Sequence, residues 1–256
     1  MQENRVNNIS PKIFILSIHI KLHAINSLRN SFDDFLHLFF PNICLACEDS
    51  LHRGENIICT NCYFNMPLCK YEDRLDNPMA KKFWGKIKFE GAYAYLNFTR
   101  KGRVQSLMHR LKYKGEKEVG VLLGELMASE MVDSQVFSGF DAIIPVPLHK
   151  KKLIKRGYNQ SDCIATGLSN VLNIPVDPYL VKRTFHSSTQ TKKKRFARWE
   201  NVEKIFELGN ADKYDGKHLL LVDDITTTGS TMSACAEQIL KIPNSKVSVA
   251  SLAFAN

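Results

Sequence analysis

The chain has 256 residues, 44% of them apolar, and a formal net charge of +9. That length fits one α/β domain with a smaller module, and the composition is that of a soluble globular protein. No stretch reaches the ~18 apolar residues of a membrane span, and the positive balance favours anionic partners without bearing on fold. The charge is concentrated. Residues 81–117 hold eleven Lys/Arg against Glu90 and Glu116, and residues 182–204 hold eight against Glu200 and Glu203.

Residues 1–40 read as a leader. The apolar run Ile13–Ile18 is short and is followed by His19, Lys21 and His23. A secretory signal would carry a longer apolar core and a small-residue cleavage site, so secretion is not expected. Ile18, Leu22, Ile25 and Leu28, then Phe32, Phe35, Leu36 and Phe39, instead space out as one face of an amphipathic helix. Basic residues are sparse on its polar face, which disfavours a membrane-surface anchor.

Residues 41–70 form a module of their own. Cys44-x2-Cys47 and Cys59-x2-Cys62 stand eleven residues apart. Each pair wraps two thiolates around one ion, and two such pairs complete a tetrahedral four-cysteine zinc site. Two disulfides are the alternative, but Cys163 and Cys235 lie in apolar helical patterns and no secretory signal precedes them, which argues for a reducing, cytoplasmic compartment. Four thiolates leave no open position for water, so the zinc is structural.

Residues 70–86 are polar and read as the joint to a domain spanning 87–256. There the pattern predicts a strand over 89–96, helices over 101–112 and 119–131, a buried strand over 140–146, a helix over 158–172 and a short strand over 176–181. Residues 186–198 lack apolar periodicity and read as a loop, with order returning over 201–206. A strand at 219–222, a helix at 230–240 and a last strand at 246–253 follow. Alternating strands and helices predict a mostly parallel sheet flanked by helices.

The most informative run is Leu219-Leu220-Leu221-Val222-Asp223-Asp224-Ile225-Thr226-Thr227-Thr228-Gly229-Ser230-Thr231. Four apolar residues read as a buried parallel strand ending in two carboxylates, with a hydroxyl- and glycine-rich turn opening the next helix. Open α/β sheets hold ligands beyond the carboxyl ends of their strands. A phosphate at the helix start meets free N–H groups, with added donors from the Thr and Ser hydroxyls. Asp223 and Asp224 suit a vicinal diol. Phosphate plus diol is a sugar-phosphate site. The run resembles the 5-phosphoribosyl-1-diphosphate (PRPP) motif of type I phosphoribosyltransferases.

Two basic segments flank the same crevice. Pro145-Val146-Pro147 leads into Lys150, Lys151, Lys152, Lys155 and Arg156, and the segment 190–198 carries Lys192, Lys193, Lys194, Arg195 and Arg198. Either balances the charge of a sugar diphosphate, and the second has the length and charge of a closing loop.

Five ordered blocks together resemble the ComF (competence protein F)/GntX family. They are the four cysteines; Tyr95 to Lys112-Tyr113-Lys114-Gly115; Pro145-Val146-Pro147-Leu148 with Arg156-Gly157-Tyr158-Asn159-Gln160; Gln190-Thr191; and Asp223-Asp224 to Thr231. The resemblance covers residues 41–254. It implies a type I phosphoribosyltransferase-like fold, cytoplasmic handling of DNA in natural transformation, and a competence helicase as partner. It further implies PRPP bound with Mg2+, with Asp223 and Asp224 as the candidate catalytic pair holding the ribose hydroxyls. Thr226, Thr227, Thr228, Gly229, Ser230 and Thr231 would surround the 5-phosphate, with Pro147, Lys150, Arg156 and Arg198 completing the set. Purine-salvage relatives carry an Asp at the position of Thr227, which disfavours an acceptor needing that base here.

The competing class is a single-stranded-DNA-binding competence module in which the PRPP site is regulatory or vestigial. Cationic grooves with stacking aromatics bind single strands. Phe83, Trp84, Phe89, Tyr93, Tyr95, Phe98 and Tyr113 interleave with the basic residues of 81–117, several of them expected in the core. Arg103, Arg110, Lys112 and Lys114 are the candidate phosphate contacts.

Overall fold

The computed structural model describes residues 41–134, 138–184 and 205–255. Its centre is a four-stranded sheet in the order β1-β6-β5-β2, formed by β1 (Gly91–Asn97), β2 (Ala142–Pro145), β5 (His218–Thr226) and β6 (Lys246–Phe254). Every pairing is parallel. Side chains alternate across a strand. Leu220 and Val222 accordingly face one core cluster with Ile143 and Ala250, while Leu219 and Leu221 face the other with Ile144 and Val249.

Helices α2 (Arg103–Tyr113), α3 (Lys117–Ser134) and α5 (Gln160–Leu172) bury their apolar residues in the first cluster. α2 has the expected amphipathic stripe, with Val104, Leu107, Met108 and Leu111 buried. α3 and α5 meet almost backbone to backbone. A Cβ added to Gly167 would stand 2.1 Å from the Val121 carbonyl oxygen, and one on Gly124 would stand 2.4 Å from that of Ile164. Only glycine permits this approach.

The second cluster is covered by α6 (Ser230–Ile239) and by residues 77–83. The latter corrects the reading of 70–86 as a joint. Met79, Ala80 and Phe83 are buried, and Asn77 ties them down by accepting from the Ala80 N–H and donating to the Ala92 carbonyl. A small antiparallel pair, β3 (Val181–Arg183) with β4 (Phe206–Leu208), lies beside α6. The strand expected over 176–181 is displaced to β3, and Val176 keeps a single bridge to Ile143. The leader 1–40 and the segment 190–198 lie outside the described residues.

The cysteine module is packed into the domain. Cys44, Ala46, Ile58 and Met66 belong to the same cluster as α2 and α3. The backbone of Leu45 accepts from Ser106 Oγ at 3.3 Å, and Arg110 reaches Glu48 in the module and Glu116 after α2. Among the described residues no helix is long and apolar enough to cross a membrane.

Candidate functional site

β2 stops pairing with β5 at Pro145↔Val222, whereas β6 accompanies β5 to Thr226↔Phe254. The carboxylates therefore do not mark the end of the strand, as the sequence suggested; they begin the stretch of β5 whose β2 side is open. Longer pairing with β6 carries the strand four residues beyond Val222. A crevice opens at Asp223.

Its walls come from six elements and the turn at Pro147. Asp223 and Asp224 form one, with Thr231 at the start of α6. Pro147, Lys152, Arg156, the first turn of α5, Lys112 and Arg183 complete the lining. The crevice has a volume of about 160 Å³. Larger clefts, about 560 Å³ beside Asp177 and Lys213 and about 470 Å³ beside Tyr63 and Leu126, lie away from this charge arrangement.

Local capping explains the α5 wall. Pro147 is followed by a basic helix, α4 (Lys150–Arg156), capped by the His149 side chain and ended by Gly157 at φ +78°. The sequence gives α4 no apolar period, and it buries no residue. Asn159 then caps α5 by accepting from Ser161 N–H, while its amide donates to the Val146 carbonyl at 3.1 Å and to Asp162 at 2.7 Å. Ser161 Oγ donates to Asp223 Oδ1 at 3.1 Å.

α2 is locked to the same wall. The Tyr158 hydroxyl donates to the Leu111 carbonyl, and the Arg156 guanidinium lies 5.1 Å from the Tyr113 ring centre. This delivers Lys112, whose ammonium pairs with Asp224 Oδ2 at 2.9 Å. Asp223 is pushed up to about 7, first by burial and then by repulsion from Asp224. The Asp224 N–H, Ser161 and Lys112 oppose the rise.

The hydroxyl loop forms as expected in part. Gly229 caps α6 at φ +74°, and a Cβ there would meet Phe83 at 3.0 Å. Thr228 and Ser230 hydroxyls are 3.0 Å apart, and Lys86 donates to the Thr228 carbonyl. Thr227, Thr228, Ser230 and Thr231 are exposed, so their hydroxyls are accessible. Thr226 departs from the expectation: it is buried, with its hydroxyl on Met232 Sδ at 3.1 Å.

Of the other expected residues, Pro147 and Arg156 line the crevice, Lys150 does not, and Lys152 lines it instead. Arg198 lies outside the described residues. Among the expected DNA contacts, Arg110 is held between Glu48 and Glu116, and Lys112 pairs with Asp224. Opposite charges already engage both side chains. Lys114 remains exposed, and Arg103 is half-buried. Of the aromatics, Phe83, Tyr93 and Tyr95 are core, while Trp84 and Tyr113 are exposed. Composition alone did not reveal Ser161, Asn159, Gln160 or Arg183 as lining residues; the Arg-Gly-Tyr-Asn-Gln run was the available signal for two of them, Asn159 and Gln160.

The four module cysteines converge. All four Sγ atoms lie within 4.8 Å of one another, with Cys47 and Cys59 3.7 Å apart and no disulfide between them. A tetrahedral ion with Zn–S bonds of about 2.3 Å separates its sulfurs by about 3.8 Å, so the donor set fits zinc. Burial raises the Cys44 thiol, yet N–H donors from Cys47, Cys59 and Ala46 bring it down to about 7.

Comparison with known proteins agrees with this architecture. A phosphoribosyl transferase domain model matches residues 161–256. Competence protein F of Haemophilus influenzae is 28% identical over 233 residues, covering 85% of this chain and 99% of its own. DNA utilization protein YhgH of Escherichia coli K12 is 33% identical over 138 residues, 53% of this chain and 60% of that protein. Competence protein ComFC of Bacillus subtilis is 26% identical over 144 residues, 56% of each chain. The matches to YhgH and ComFC thus span little more than half of those proteins.

Proposed function

Starting from the fact that this chain is a relative of competence protein F with a type I phosphoribosyltransferase-like fold and an N-terminal four-cysteine cluster, we propose that it binds PRPP or a related ribose phosphate at Asp223 and Asp224. The observation that carries the reading is the opening of β5 at those carboxylates, in a crevice lined by basic residues and beside a hydroxyl loop at a helix N-terminus. In this reading the carboxylates accept from the ribose hydroxyls. Thr227 to Thr231 donate to the 5-phosphate, with the positive end of α6 behind them. Lys152, Arg156 and Arg183 offset the diphosphate charge. Mg2+ bound with the ligand would neutralise the diphosphate as a leaving group. Lys112 must yield or share Asp224 when a diol arrives, which ties ligand occupancy to the end of α2.

Asp223 gives this reading a pH signature. Its proton must leave before both oxygens accept from hydroxyls, so PRPP affinity should rise by up to about tenfold per pH unit below 7 and level off above it. A folded-state pKa above the unfolded value of about 3.9 contributes stability at low pH. The free protein therefore loses that contribution between about pH 4 and 7. Calorimetric titrations from pH 5.5 to 8.5 check this, with Asp223→Asn separating the ligand's own titration. A wild-type profile identical to that of Asp223→Asn would remove Asp223 from the binding step.

A second reading, sequence-independent contact with single-stranded DNA, has its own support in the exposed Arg100, Lys101 and Lys114 around α2 and the exposed ring of Tyr113. The names of the relatives, competence and DNA utilization proteins, point the same way. Each phosphate contact on a single strand contributes about −0.7 to the log–log slope of affinity against salt. Changing Arg100, Lys101 and Lys114 to Ser should flatten that slope by about two units and leave PRPP binding intact. An unchanged slope moves DNA contact elsewhere on the surface.

A further inference from the structure

We propose that Gln160 reads the ligand directly: its side-chain amide donates a hydrogen bond to a phosphoryl oxygen held between the α5 wall and Asp223–Asp224. The inference rests on the ribose-phosphate reading of the crevice and adds to it a residue and the ligand group that it contacts.

Gln160 is 1% exposed, at the first position of α5, and it lines the crevice. Its Oε1 accepts from Arg156 Nη1 at 2.6 Å. A guanidinium only donates, so this bond fixes which end of the amide faces Arg156 and turns the NH2 group away from it. The Nε2 atom is buried and has no hydrogen-bond partner. A buried donor without an acceptor destabilises the fold, and a Met or Leu would fill the same space without that penalty. The neighbouring polar groups are occupied. Asn159 caps the helix, Ser161 donates to Asp223, and Arg156 is shared between Gln160 and the Tyr113 ring. Gln160 Nε2 is thus a donor held in place beside Asn159, Ser161 and Arg156, whose side chains are already bonded.

The chemistry of the crevice selects the acceptor. Lys112, Lys152, Arg156 and Arg183 bring four positive charges to a space with two carboxylates, so an anionic oxygen is favoured over a neutral carbonyl. Thr231 is the one loop residue that reaches this space, whereas Thr227, Thr228 and Ser230 stand outside it. Two phosphate positions follow: one at the hydroxyl loop for a terminal monophosphate, and one beside Gln160 for a diphosphate.

The test titrates the full chain with inorganic pyrophosphate plus Mg2+ and, separately, with ribose 5-phosphate. Gln160→Met removes the donor, and with it the acceptor for Arg156, at similar volume. Gln160→Glu keeps an acceptor for Arg156 but replaces the donor with a negative charge. Wild type should bind both probes. Gln160→Met should weaken pyrophosphate about tenfold, Gln160→Glu should weaken it further, and both should bind ribose 5-phosphate as wild type does. The melting temperature of ligand-free Gln160→Met should stay close to that of wild type, because the unpaired buried donor goes together with the Oε1 bond to Arg156. Equal pyrophosphate affinity in wild type and Gln160→Met overturns the inference while leaving the ribose-phosphate reading intact. Parallel loss of both probes with a lower melting temperature makes Gln160 a packing residue and also overturns it. Wild type that binds neither probe overturns the reading of the crevice itself.

Discussion

Protein purified without chelator is expected to carry close to one zinc per chain, and Cys62→Ser is expected to lose it together with much of the stability of the first cluster. Cys44 and Cys62 are fully buried, and the module around them has one five-residue helix, α1 (Thr60–Phe64), and one isolated bridge, Ile43↔Ser50. So little regular structure cannot hold four thiols together unaided, and metal binding supplies folding energy, about 10–16 kcal/mol in isolated zinc-finger peptides. The effect should not stop at the module. Cys44, Ala46, Ile58 and Met66 share a core with α2 and α3, and Arg110 crosses from α2 to Glu48. Chelation should therefore loosen α2 as well as residues 41–66. Hydrogen exchange with and without chelator distinguishes this from a module that melts alone. Less than about half an equivalent of zinc, with disulfides found by mass spectrometry, would falsify the site.

Which of these features the sequence makes legible follows from how local each one is. The cysteine pairs are set by short spacing, and their sulfurs do converge. The run from Leu219 to Thr231 is one strand-turn-helix, and the apolar strand, the Gly229 cap and the exposed hydroxyls stand where the pattern placed them. What the pattern misses depends on partners distant in the chain. β5 continues past Asp224 because β6 is there to pair with it. Residues 77–83 read as polar, but Met79 and Phe83 meet a sheet face that only the assembled fold provides. Arg110 and Lys112 look like free phosphate contacts until Glu48, Glu116 and Asp224 arrive beside them. Gln160 lies inside a motif visible in the sequence, yet its burial and its unpaired amide arise from Arg156 and the packing of α5.

The other large effect concerns ligand binding. Asp223→Ala/Asp224→Ala is expected to abolish PRPP binding without unfolding the domain. The two residues are largely but not fully buried, on the stretch of β5 that β2 leaves unpaired, rather than in the apolar core. Their removal also ends the repulsion that raises Asp223, although it leaves Lys112 without its partner. Charge-assisted hydrogen bonds contribute about 1.5–3 kcal/mol each, so losing two predicts a fall in affinity of about 10²- to 10⁴-fold. Isothermal titration of PRPP with Mg2+ into wild type and the double variant at pH 8, with circular dichroism on both, is the most direct measurement of the central claim. The account expects saturable binding by wild type and none measurable for a folded double variant. A folded double variant that binds PRPP as tightly as wild type, or a wild type that does not bind it, would contradict the account.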